Sequence, residues 1–90
     1  MEITWDDRKE AENIEKHGIE FDEAATVTHN PLSLFKPNKH RSGKRFEYLG
    51  HSDRGRVLYV VTTEENESVV RIISARKAEP HEREKYEEGF

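Results

Sequence analysis

Two arginines, Arg71 and Arg76, bracket the most strand-like run of this chain, Val69-Val70-Arg71-Ile72-Ile73-Ser74-Ala75-Arg76. A guanidinium carries a rigid fork of donors that matches phosphate oxygens two at a time. Two of them on one rigid platform suit chemistry on a phosphate. The structural alternative makes Arg71 a buried ion-pair partner and Arg76 a surface charge, with nineteen acidic residues available to pair them. His17, next to Lys16, can contact phosphate or donate a proton, or simply complement a helix C-terminus. Glu47, two residues after Arg45, is either a general base flanked by cations or half of a cross-strand ion pair. Tyr86 offers an acid/base hydroxyl, or a ring that packs on a sheet.

These groups need elements to hold them. The run 69–76 is β-branched, free of Gly and Pro, and apolar on both parities, so it is expected as a central strand covered on both faces. Strict alternation puts Val70, Ile72 and Ser74 on one face and Val69, Arg71, Ile73 and Ala75 on the other. A second central strand is expected over 56–63, and further strands over 2–5, 32–35 and 45–50. Asp6 or Asp7 can cap a helix that runs to about His17 and stops at Gly18, with a thin apolar stripe of Ala11 and Ile14. A second helix should cover 21–29, ended by Asn30-Pro31. Pro80 opens a last helix to about Glu88. Lys36 to Lys44 is expected as an exposed, mobile loop, 52–55 as a hairpin turn and 64–68 as an acidic turn. Helices segregated from a run of antiparallel strands mean α+β: two N-terminal helices on a four- to five-stranded, mostly antiparallel sheet with a C-terminal helix. No repeat or second domain is visible, so residues 1–90 are expected to form one domain.

Charged residues make up 38% of the chain and hydrophobic ones 32%, so the core must be small. The net charge of −4 argues against a general polyanion binder, but the charge is unevenly spread. Residues 36–56 carry seven basic and two acidic side chains, whereas residues 1–30 carry three basic and nine acidic. Lys44, Arg45, Arg54 and Arg56 of the basic middle are candidates for an anion-binding face, with solvated charge as the default for the two turn arginines. Cysteine is absent, and neither His40 nor His51 is spaced with other ligands, so no metal or cofactor is expected. There is no Gly-rich phosphate loop, zinc motif or serine elbow. The N-terminus is not a targeting segment and no run is long enough to span a membrane, which suits the cytoplasm.

Trp5-Asp6, Lys9, Asn13, Lys16-His17-Gly18, Phe21, Glu23-Ala24, Pro31, Gly50, Arg54-Gly55, Arg71-Ile72-Ile73-Ser74-Ala75-Arg76, Glu82-Arg83-Glu84 and Tyr86 together resemble the BrnT toxins. The resemblance implies a RelE-like fold and a ribonuclease toxin of a type II toxin–antitoxin system that blocks translation. It implies neutralisation by a BrnA-like ribbon-helix-helix antitoxin, which carries the operator-DNA contact of an autorepressing hetero-oligomer. It assigns site roles to Lys16, His17, Arg71, Arg76, Glu47 and Tyr86. Where the family commonly has a basic residue before the last strand, this chain has Glu64-Glu65. That departure keeps open a catalytically weak relative that acts only inside a repressor complex. RNA supplies its own nucleophile, the 2′-hydroxyl, so the expected cleavage needs no metal. Arg71 and Arg76 would stabilise charge on the phosphoryl oxygens, and Glu47 or His17 would be the base or the acid. The scheme expects the two arginines and the Lys-His pair to share one water-accessible hollow.

Overall fold

The computed structural model describes residues 2–40 and 43–88. The chain runs β1 (Glu2–Trp5), α1 (Asp7–His17), α2 (Phe21–His29), β2 (Leu34–His40), β3 (Gly43–His51), β4 (Val57–Asn66), β5 (Val69–Lys77) and α3 (Pro80–Glu87). One five-stranded sheet has the order β1-β5-β4-β3-β2. β1 pairs with β5 in parallel, and the other pairings are antiparallel. The result is the expected α+β architecture, with β5 inside the sheet.

One face of the sheet carries the core. Ile19 and the α2 residues Phe21, Ala24 and Val27 pack on Leu58, Val60, Ile72 and Ala75, all fully buried. Trp5 meets the Phe21 ring edge-on at 6.2 Å and closes the core at the β1 side.

The expected apolar stripe of α1 does not form. Ala11 is exposed and Ile14 is 41% exposed. Polar anchors hold the helix instead. Asp6 caps it, accepting from the backbone N–H of Arg8 at 2.7 Å. Glu10 accepts from the Phe21 N–H at 2.9 Å and so caps the start of α2. Asn13 is buried, and its amide completes the edge of β5 beyond the end of β1. It donates to the Ala75 carbonyl at 2.9 Å and to the Ile19 carbonyl at 3.0 Å, and accepts from the Ala75 N–H at 3.1 Å. Gly18 ends α1 at φ 72°, a left-handed conformation that suits glycine.

Three other expectations change. The stretch expected as a mobile loop is largely strand: β2 continues to His40 and β3 begins at Gly43, while residues 41 and 42 lie outside the described residues. Pro37 sits opposite Phe46 on the edge strand, where its missing N–H is tolerated. Phe35 stacks on Phe46 at 5.2 Å between ring centres, which favours continued pairing. Likewise β4 extends to Asn66, whose side chain accepts from the N–H groups of Ser68 and Val69 to make the turn. The third change matters most for function. Val61 is registered with Ser74 and Thr62 with Ile72, so Ile73 is an extra, bulged residue. The bulge resets the alternation, placing Ala75 with Ile72 on the core side and leaving Arg71, Ser74 and Arg76 together on the other face.

Candidate active site

That second face is covered in part by α3. The helix starts with Pro80, and Glu79 and Glu82 form a reciprocal capping box. None of its side chains is buried. Glu82 does more than cap. It accepts from the Glu79 N–H at 2.8 Å and takes both arms of the Arg76 guanidinium, at 2.8 and 3.1 Å. α3 is thus fastened to β5 through a bidentate ion pair in a half-sheltered setting, with Arg76 30% and Glu82 17% exposed at the side chain. Hydrogen bonds from Arg76 pull the Glu82 carboxyl below its ordinary range, and the same pairing raises Arg76.

Arg76 also lies 4.4 Å over the ring of Tyr59, its registered partner on β4. The Tyr59 hydroxyl donates a short hydrogen bond to Glu47 on β3. Burial first, and the bond to Glu47 second, push the Tyr59 phenol up to about 12. A continuous chain therefore runs Glu82–Arg76–Tyr59–Glu47 across three strands and α3. It borders an open hollow of about 500 Å³, whose lining includes Glu47, Tyr59 and Glu82 with Lys36, His81 and Lys85. A carboxylate, cations and a half-buried wall facing water are the parts that proton transfer beside a phosphate requires.

The other expected site residues are distributed differently. Lys16 and His17 line a separate hollow with Lys9, Glu12, Asn13, Glu15 and Ser74. Arg71 shares the face of Arg76 but pairs with Glu65 at 2.5 Å, both side chains about 40% exposed. Tyr86 sets its ring edge-on against His51 at 5.3 Å. The expected shared hollow does not form: the Lys-His pair lines one hollow, neither strand arginine is among the lining residues of either hollow, and each arginine already holds a carboxylate.

Among the basic residues, Lys44 is exposed and Arg45 lies opposite Thr63 on β3. The default of solvated charge for Arg54 and Arg56 does not hold. Arg56 makes a two-armed bond to Glu23 at 2.6 and 2.7 Å, and Arg54 approaches the same carboxylate at 3.7 Å. Glu23 is buried and also accepts from the Ser52 hydroxyl at 2.7 Å. These bonds, Arg56 foremost, overcome burial and hold the Glu23 carboxyl below its ordinary range. They pin the 52–56 turn onto α2. Gly50 adjoins this region, and a Cβ there would fall 2.1 Å from the Ser33 hydroxyl oxygen.

Sequence reasoning did not single out Tyr59 or Glu82 for the site. Tyr59 carried one available signal: a hydroxyl-bearing ring between Leu58 and Val60 on a strand that buries both neighbours.

Residues 5–82 match the family described as "Ribonuclease toxin, BrnT, of type II toxin-antitoxin system". In the crystal structure of the Brucella abortus ribonuclease toxin BrnT, a similar fold covers 88% of this chain and 97% of that one, with a TM-score of 0.71 and 25% identity. No curated protein matches. Fold and family match together place the chain among the ribonuclease toxins of type II toxin–antitoxin systems, which implies an antitoxin partner. Within that class it belongs to the BrnT family. Among the described residues, no helix is long and apolar enough to cross a membrane.

Proposed function

We propose that this protein is a metal-independent endoribonuclease that blocks translation, with its catalytic centre at the Glu47–Tyr59–Arg76 chain beneath α3. The observation that carries the reading is that hydrogen-bonded chain bordering an open hollow. Glu47 takes the proton of an RNA 2′-hydroxyl, and the freed oxygen attacks the adjacent phosphorus. The bond to the 5′-oxygen breaks, and that oxygen takes a proton from His81, the imidazole lining the same hollow. Arg76 stabilises the charge that builds on the phosphoryl oxygens, for which it must exchange Glu82 for phosphate. Lys36 and Lys85 line the hollow where flanking phosphates would pass. Lys16 and His17, with the exposed Lys44 and with Arg45, are assigned to the RNA backbone. Arg71, paired with Glu65 and outside the lining of this hollow, is given no part in the bond-breaking step in this reading.

The antitoxin we propose is a ribbon-helix-helix protein of the BrnA kind, which holds the operator DNA while the toxin takes part through that protein alone. The complex represses its own operon, and the toxin acts in the cytoplasm. A second reading, a catalytically weak toxin acting only in the repressor, draws on one observation: Arg71 and Arg76 are both engaged by carboxylates. Cleavage of single-stranded RNA by purified protein in excess EDTA tests the first reading. Wild type should cut and Glu47→Gln should be slower by on the order of a hundredfold. Wild-type activity that vanishes with chelator would refute the metal-free scheme. No cleavage at all, with antitoxin binding intact, would favour the second reading.

A further inference from the structure

We infer that Tyr59 is a positioning residue for the proposed cleavage: its hydroxyl aims the Glu47 carboxylate while its ring face seats the Arg76 guanidinium. The inference rests on the catalytic reading above and adds a residue to it.

The geometry argues for a double role. Tyr59 lies between Arg76 on β5 and Glu47 on β3, and touches both. Its hydroxyl has one donor proton, which goes to Glu47. That bond fixes one carboxylate oxygen and leaves the other available to the hollow. The ring presents its negative face to Arg76, whose arms are also held by Glu82. Arg76 thus keeps its place on the ring even when a phosphate displaces the carboxylate. A phenol pushed up to about 12 stays a donor throughout the range in which RNA is cut. Neither Glu47 nor Arg76 touches the other in the described contacts, so Tyr59 is the group that sets their spacing.

Other charged groups share the surroundings of Glu47. Lys36 is its registered partner on β2, Arg45 stands two residues before it on β3, and His81, Glu82 and Lys85 of α3 line the same hollow. Tyr59→Phe leaves all of them in place and removes one oxygen. kcat at neutral pH should fall about tenfold with KM nearly unchanged, the size of one lost hydrogen bond to a charged group. Tyr59→Leu removes the ring as well and should lower kcat further.

The experiment measures kcat and KM separately for wild type, Tyr59→Phe, Tyr59→Leu and Glu47→Gln. A fall in kcat with KM nearly unchanged in Tyr59→Phe, and a larger fall in Tyr59→Leu, support the inference. Equal kcat in wild type and Tyr59→Phe, with Glu47→Gln strongly slowed, would overturn the role of Tyr59 and leave the catalytic reading standing. Full activity in Glu47→Gln would overturn the catalytic reading itself. A Tyr59→Phe variant that fails to fold would also overturn the inference, because the hydroxyl would then serve stability.

Discussion

The two ends of β5 carry the same side chain on the same face, and they are not equivalent. Arg71 meets one carboxylate, Glu65, where both partners are about 40% exposed. Arg76 meets Glu82 with two arms, is seated on an aromatic ring, and lies one side chain away from Glu47. An exposed single-contact pair fixes little, because water competes for both charges and two long side chains must be ordered. A bidentate, half-sheltered pair resting on a ring has a fixed direction. Proximity to a carboxylate therefore does not separate a structural arginine from one that can be used; what surrounds the pair does. Glu23 with Arg56 shows the opposite extreme, a fully buried carboxylate saturated by donors.

The comparison breaks most easily at Arg76. Arg76→Ala should lower RNA cleavage by on the order of a hundredfold, about 2.7 kcal/mol of transition-state stabilisation, while Arg71→Ala changes it by no more than about threefold. Equal losses at the two positions, measured with folded proteins, would erase the distinction. The buried pair should register in stability instead. Glu23→Gln should cost about 2 kcal/mol in denaturant unfolding at neutral pH, less than a wholly buried pair because Arg56 is partly exposed.

Acid sharpens the same point. Glu23 and Glu82 both have carboxyls held below the ordinary range, by their arginine partners first. A lowered native pKa adds stability above the unfolded value, and that stability is lost as pH falls through the native value. Wild type should therefore lose stability below about pH 4, and Glu23→Gln should show a flatter curve there. Matching slopes would remove Glu23 from the account. The smallest effect belongs to the exposed pair: Glu65→Ala should change stability by under about 1 kcal/mol, and added salt should shrink it further.

Much of the fold was legible in the residues. The helix stop at Gly18, the α2 span and the Pro80 start follow from local rules that act within one turn of chain. The β-branched run of β5 and the apolar run of β4 announced the sheet. Residues 36–40 and 43–44 look like a loop in the sequence because breakers and charges imitate one, while the Phe35–Phe46 stacking that favours strand pairing joins residues eleven apart. α1 was misread for a similar reason. Its anchor is polar, and a buried asparagine that completes a strand edge gives no periodic signal.

The sequence by itself determined the element types, the family resemblance and which side chains carry charge, because each depends on residue identity and on neighbours a few positions away. Only the tertiary structure decided how those charges meet. The bulge at Ile73 brings Arg71 and Arg76 to one face, which strict alternation forbids, since they stand five positions apart. The pairing of β3, β4 and β5 then sets Glu47, Tyr59 and Arg76 side by side, and the fold of α3 back over the sheet adds Glu82. Such contacts depend on strand register and on packing between distant segments, which no local pattern encodes.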